Sequence, residues 1–108
     1  MVLQNFLFLD DSDSTGESNP LVCTGGKQLS LNVELITAGE NIDLDVMGQI
    51  DLNGDYHTLG VIGASDFNTA SSISAEGIYL VPVDGITRVK IANNETPGSV
   101  KVFGNLTD

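Results

Sequence analysis

Short stretches in which apolar and polar residues alternate are the feature that most constrains the fold of this chain. From Leu29 to Leu35 every second residue is apolar, and a similar alternation runs from Ile42 to Leu52. A period of two residues places the apolar side chains on one face of a β-strand, whereas a helix repeats its apolar positions every three or four residues. Because no segment sustains a helical period, the sequence predicts an all-β chain.

Turn-forming residues separate these stretches and predict hairpins. Asn53-Gly54 lies between Ile42–Leu52 and a second extended run, Tyr56–Ile62, which predicts a hairpin closed at that turn. Thr87–Ala92 and Val100–Phe103 flank a later turn that is rich in Asn, Pro and Gly. These two runs are therefore predicted to form a second hairpin.

Two further stretches are less regular. Ile78–Val83 is predicted to be a strand at a sheet edge, because Pro82 has no N–H to donate. Asp66–Ala75 is predicted to be a long connection without regular structure that places one or two anchors in the core, with Phe67 and Ile73 as its isolated apolar residues. With about seven or eight short strands, residues 1–108 are predicted to form a single antiparallel β-sandwich or jelly roll. Residues 1–20 are a candidate for an extended N-terminal arm and an acidic loop.

The N-terminal segment Val2–Leu9 is apolar on both faces of a strand. Phe6 and Phe8 alternate with Leu7 and Leu9, so the segment is either a core strand of this chain, which is the favoured alternative, or a strand added to a partner or neighbouring subunit. The segment lacks a positively charged start and a small-residue cleavage site, so it is not predicted to be a signal peptide.

The charge of the chain is strongly unbalanced, with 15 acidic and 4 basic residues and a formal net charge of −11. Such a chain repels phosphate backbones and anionic lipids and favours a partner with a basic face, so neither nucleic acid nor a membrane is predicted as a partner. Arg88, Lys90 and Lys101 occupy alternate positions of the predicted second hairpin, which lie on the same face of a sheet. They are predicted to share a solvent face as a small positive stripe, which either keeps the sheet soluble or contacts a partner.

Few residues are candidates for catalysis. Cys23 is the single cysteine and only Lys27 is near it in the sequence, so it is predicted to be an unreactive, buried or half-buried thiol. His57 is the single histidine and follows the predicted turn, which favours an exposed strand residue over a Ser-His-Asp triad. We therefore predict that the chain is not an enzyme and binds no cofactor.

Two acidic segments have the oxygen density that calcium prefers. Asp10–Glu17 is dense in carboxylate and hydroxyl groups but fits no EF-hand register, so a hydrated loop is favoured and calcium binding is left open. Asp51–Asp55 resembles the start of a calcium loop, but Tyr56 and Ile62 stand where such a loop requires Gly and Glu. No metal site is predicted.

Residues 48–59 and 77–91 resemble segments of small all-β virion proteins of tailed bacteriophages, which decorate capsids or serve as fibre and tail accessories. The first segment, GQIDLNGDYHTL, is similar to a sequence pattern of this family, in which a glycine, a strand and an Asp/Asn-Gly turn precede an aromatic residue and a leucine. The second, GIYLVPVDGITRVKI, looks like the penultimate hairpin of these proteins.

This resemblance implies a role in assembly and no catalytic residues. The expected protein is a capsid decoration subunit in a virion that is assembled in the host cytoplasm. It would bind the major capsid protein lattice as a homo-oligomer, a trimer by analogy with decoration proteins. A tail, baseplate or fibre component is the alternative. A carbohydrate-binding or adhesion module is a second alternative, which requires Tyr56 and Tyr79 as an exposed aromatic pair. The candidate partner-binding residues are Phe6, Phe8, Arg88, Lys90 and Lys101.

Overall fold

The computed structural model describes residues 2–11, 16–37, 39–95 and 99–108, with the backbone alone for Asp11. The regular secondary structure in these ranges consists of β-strands alone, which confirms the all-β class. The strands are β1 (Val2–Asp11), β2 (Gly16–Glu17), β3 (Leu21–Val22), β4 (Gln28–Leu35), β5 (Leu44–Gln49), β6 (His57–Thr58), β7 (Val61–Gly63), β8 (Thr69–Ala70), β9 (Gly77–Pro82), β10 (Arg88–Asn93) and β11 (Val100–Thr107).

The described strands form two antiparallel sheets that face each other across one apolar core. One sheet has the order β1-β11-β4-β9-β7-β8, and the other has the order β2-β10-β5-β6, with β3 also paired to β10. Leu31 and Val102 from the first sheet and Val46 and Ile91 from the second belong to the same buried cluster. This arrangement confirms the prediction of an antiparallel β-sandwich.

The predicted hairpin at Asn53-Gly54 forms, but it is shorter than the sequence indicates. Strand β5 pairs with only two residues of β6, and the turn closes where the Gly54 N–H donates to the Asp51 carbonyl at 2.8 Å. Beyond β6 the chain leaves this sheet, because Val61 and Ile62 pair with β8 and β9 in the opposite sheet. Here Val61 is buried in the core.

The predicted second hairpin is wrong. Strand β10 pairs with β5 along its whole length, whereas β11 pairs with β1 and β4 in the opposite sheet. The chain therefore crosses from one sheet to the other between Asn93 and Val100. The physical reason is that both strands bury alternate residues in the same core from opposite sides, and distant strands supply their hydrogen-bond partners.

Strand β9 is an interior strand between β4 and β7, so its predicted place at an edge is also wrong. The N–H of Val83 donates to the Lys27 carbonyl on the side of β4. Successive residues of a strand direct their amides to opposite sides, so the nitrogen of Pro82 faces the other side, where β7 pairs only with Tyr79 and Leu80. The proline therefore interrupts no ladder bond.

The connection between β7 and β9 has one anchor in the core, where one or two were predicted. Ile73 is buried and exchanges two backbone hydrogen bonds of 2.9 Å with Leu44 of the opposite sheet, which confirms that anchor. Phe67 is exposed, so Ile73 is the one anchor, and the predicted lack of regular structure is wrong because Thr69–Ala70 forms β8. The N–H of Phe67 donates to the Gly63 carbonyl in a tight turn, and a φ of 58° at Phe67 directs the chain so that the ring faces solvent.

Candidate partner-binding face

The outward face of the six-stranded sheet carries two rows of uncharged side chains, which we call the neutral face. The strand register aligns residues across neighbouring strands, and in each row the side chains point away from the core. The first row is Leu7, Phe103, Asn32 and Ile78. The second row is Asn5, Asn105, Ser30, Leu80 and Ile62.

Three large apolar side chains of the first row of the neutral face are accessible to solvent. Ile78 is 55% exposed, Leu7 is 44% exposed and Phe103 is 38% exposed. Between Phe103 and Ile78 lies a shallow groove of about 320 Å³, with Asn32 and Asn105 among its polar lining. Apolar surface with hydrogen-bonding amides at its margins is the composition found at the centre of protein interfaces.

Charged groups lie at one end of the neutral face. The register there places Asp10, Lys101 and Glu34 opposite one another on β1, β11 and β4. The Lys101 ammonium lies 5.0 Å from the centroid of the Phe103 ring. Glu34 accepts a hydrogen bond of 3.2 Å from the Asn32 amide of the first row, so the acidic residues border the uncharged rows and contact one of them.

The outward face of the five-stranded sheet differs, because charged residues lie within it. Lys90 forms a salt bridge of 3.1 Å with Glu17, and its ammonium also lies 4.2 Å from the centroid of the Tyr56 ring. Asp45 accepts a hydrogen bond from Asn94 at 2.9 Å. A partner docking on this face would have to desolvate these charges, which is costly.

The structure places the candidate binding residues Phe6 and Phe8 on the core side of β1. Phe8 is 6% exposed, and its ring meets that of Phe6 edge to face at a centroid distance of 4.8 Å. This is the favoured alternative of the sequence analysis, a core strand of the chain's own sandwich. The residue that reaches the outer surface is Leu7, which sequence reasoning did not select because both faces of the strand are apolar.

The other three candidates do not form the predicted stripe. Arg88 and Lys90 lie on β10 of the five-stranded sheet, whereas Lys101 lies on β11 of the six-stranded sheet. Since the two sheets face each other through the core, their outward faces point in opposite directions. The stripe depended on a hairpin that does not exist.

Cys23 is buried, as the sequence predicted. Its Sγ lies 3.6 Å from the Leu21 carbonyl oxygen, and burial raises the pKa of the thiol from 9.0 to about 11. At neutral pH the group is therefore a protonated thiol without the thiolate character that a nucleophile needs.

The raised pKa of Cys23 predicts a loss of stability in alkaline solution. Between about pH 9 and pH 11 the unfolded chain has lost the thiol proton while the folded chain retains it. The free energy of unfolding should therefore fall as pH rises through this window, by up to ~1.4 kcal/mol per pH unit, and the contribution is fully present below it. Urea titrations of the wild type and of Cys23→Ala should show a steeper fall for the wild type. Parallel curves would contradict the assignment.

The remaining candidates are His57 and the acidic segments. His57 is exposed beside a recess of about 420 Å³ that Ile50, Leu59 and Ile86 help to line. Within the described ranges, no three His, Cys, Asp or Glu residues gather in a way that could hold a metal ion. The calcium hypothesis for Asp10–Glu17 depends on residues 12–15, which lie outside the described residues.

Tyr56 and Tyr79 do not form an exposed aromatic pair. Tyr56 lies beside Lys90 on the five-stranded sheet, whereas Tyr79 belongs to β9 of the other sheet and packs against the core. The Tyr79 hydroxyl donates to the Ala75 carbonyl at 2.8 Å, and desolvation, followed by the charge of Asp66, raises its pKa. A flat platform for stacking a sugar ring is therefore not assembled from these two residues.

Comparison with known proteins finds similarity at the level of the fold. No family model and no curated protein matches the chain. The SPBc2 prophage-derived protein YomS is similar with a TM-score of 0.77 and 19% identity, over 95% of this chain and 92% of YomS. The PBSX exported protein XepA is similar with a TM-score of 0.84 and 20% identity, over 95% of this chain but only 37% of XepA.

Both of these structural neighbours are phage-derived proteins. At such low identity the similarity shows that the sandwich is shared, and it transfers no individual residue. The chain spans 37% of XepA, so it corresponds to a part of that protein. Within the described residues, no helix is long and apolar enough to cross a membrane.

Proposed function

We propose that this chain is a non-enzymatic bacteriophage virion protein and, within the virion, a capsid decoration subunit that binds the lattice of the major capsid protein. The observation that carries the proposal is the neutral face, an uncharged and partly apolar sheet surface on a chain whose formal net charge is −11. The phage origin of both structural neighbours supports the same setting. Assembly would take place in the host cytoplasm.

The distribution of charge suits a subunit that meets its partner through the neutral face. Acidic groups over the rest of the surface keep the protein soluble. Docking through Phe103 and Ile78 would remove apolar area from water, which contributes about 25 cal/mol per Å², and the nearest carboxylates lie in the row at the end of the face. One such contact is weak, but attachment of an oligomer to a repeating lattice raises the effective affinity by orders of magnitude.

Co-sedimentation of the purified protein with assembled empty capsids tests this proposal. Saturable binding to shells, with none to a tail preparation run alongside, is the expected result. Because apolar contacts are not screened by salt, binding should persist at high ionic strength. Binding to tails alone would replace decoration by the tail, baseplate or fibre alternative. Binding to neither would contradict a virion contact made by the free protein.

A pair of variants tests the role of the neutral face. Ile78→Asp places a carboxylate in the first row and should weaken shell binding at least about tenfold, which corresponds to about 1.4 kcal/mol. Ile50→Asp is the matched control, since Ile50 is 71% exposed and follows β5 of the other sheet. Equal binding by both variants would show that the partner docks elsewhere.

A further inference from the structure

The free edge of β1 is unlike the other sheet edges in the described part of the chain. The strands β8, β2 and β6 end the two sheets with two residues each, and short edges are a common protection against unwanted pairing. Strand β1 has ten residues and pairs on one side only, with β11, and its register with β11 is regular from Gln4 to Leu7, between shifts at Val2/Gln4 and Leu7/Leu9. From Val2 to Leu9 it contains neither a charged residue nor a proline, the usual residues that block edge pairing.

The register shows which main-chain groups of β1 face outward. The Thr107 carbonyl accepts a hydrogen bond from the Lys27 N–H on the side of β4, so the alternate residues of β11, such as Gly104, direct their amides toward β1. Gly104 pairs with Phe6. The amides of the neighbouring residues Asn5 and Leu7 therefore point away from β11, toward open solvent.

We propose that two copies of this chain pair antiparallel along β1, with Asn5 opposite Asn5 of the second copy. This register places Leu3 opposite Leu7 of the second copy, on both sides of the two-fold axis. The Asn5 pair can exchange two backbone hydrogen bonds, and the outward amides of Leu7 extend the pairing on both sides. The arrangement joins the two six-stranded sheets into one continuous sheet.

Charge and side-chain chemistry favour a second copy as the occupant. The paired stretch, residues 2–8, has no ionisable side chain, and Asp10 and Asp11 lie beyond its end in both copies. The exposed side chains of Leu3 and Leu7 would cover each other, and apolar cross-strand pairs stabilise a sheet. Because β1 carries Leu7 and Asn5, pairing would also join the neutral faces of both copies. The inference does not rest on the proposed function, since it needs no capsid.

Sedimentation equilibrium of the full chain tests the pairing. A dimer with twice the 11.4 kDa mass of the chain is expected. Leu7→Lys adds a charge to both Leu3–Leu7 pairs and should weaken the dimer at least about tenfold. Ile78→Lys carries the same charge on β9, away from the edge, and should remain a dimer. A wild-type monomer at the highest concentration reached, or a trimer, would overturn the proposal.

Cysteine cross-linking tests the register independently of dimer stability. In the proposed pairing the two Asn5 Cα atoms lie about 5.5 Å apart, which is within the range of a disulfide. The two Leu3 Cα atoms are displaced by four residues and lie roughly 14 Å apart. Mild oxidation should therefore link Asn5→Cys into a dimer but leave Leu3→Cys monomeric under denaturing electrophoresis. The buried thiol of Cys23 should not compete. Equal cross-linking of both variants, or of neither, would overturn the register.

Discussion

Phe8→Ala is expected to lower the free energy of unfolding by about 3–5 kcal/mol, as is typical for the loss of a buried aromatic ring. The Phe8 ring is 6% exposed and packs edge to face on Phe6. Truncation removes this contact and leaves a cavity between β1 and β11 that the rigid sheet cannot fill. Urea unfolding followed by circular dichroism measures the effect.

Leu7→Ala is the matched control for this prediction. Leu7 is the neighbouring residue on the same strand, but it is 44% exposed and lies on the outer surface. Its truncation should lower the free energy of unfolding of the monomer by less than about 1 kcal/mol, since the side chain fills no core space in its own chain. Similar losses for the two variants would show that the assigned inward and outward faces of β1 are incorrect.

Gly104→Ala is expected to destabilise the chain by about 1–3 kcal/mol, because β11 has no room for a side chain at this position. An added Cβ would lie 2.7 Å from Cε2 of Phe8 and 3.1 Å from Cδ1 of Leu29. Gly60→Ala is the control, because its Cβ would make only an ordinary contact of 3.9 Å with the Ala70 carbonyl oxygen. Thermal or urea unfolding compares the two variants.

A double-mutant cycle shows whether the cost at Gly104 comes from the Phe8 ring. Phe8→Leu shortens the side chain that an added Cβ would meet, so Gly104→Ala should cost less in that background than in the wild type. The expected coupling is about 0.5–3 kcal/mol, the range found for residues in contact. Strict additivity would mean that the ring does not lie over Gly104.

Local periodicity predicted which residues of a strand are buried, but not which sheet the strand joins. The alternation Leu29–Leu35 appears in the structure as β4, with Leu29, Leu31 and Val33 buried. The same kind of pattern in β10 and β11 suggested a hairpin, whereas the two strands belong to opposite sheets. In a sandwich both sheets bury alternate residues in one core. Two consecutive strands therefore show the same alternating sequence pattern whether they pair as a hairpin or belong to opposite sheets.

The candidate binding face was harder to predict than the strands, because it depends on the register between distant segments. Leu7, Phe103 and Ile78 are widely separated in the sequence and become neighbours only through the pairing of β1, β11, β4 and β9. The sequence also left the faces of β1 ambiguous, since Phe8 and Leu7 are both apolar. The absence of a side chain at Gly104 makes room for the Phe8 ring on the core side.

Quantitative mass spectrometry of gradient-purified particles, produced by the phage proposed to encode this chain, tests the virion role most directly. The chain should remain with intact particles through repeated banding, in a fixed ratio to the major capsid protein, and should follow heads when heads and tails are separated. Recovery only in the particle-free lysate, with none in the banded particles, would contradict a structural role in the virion.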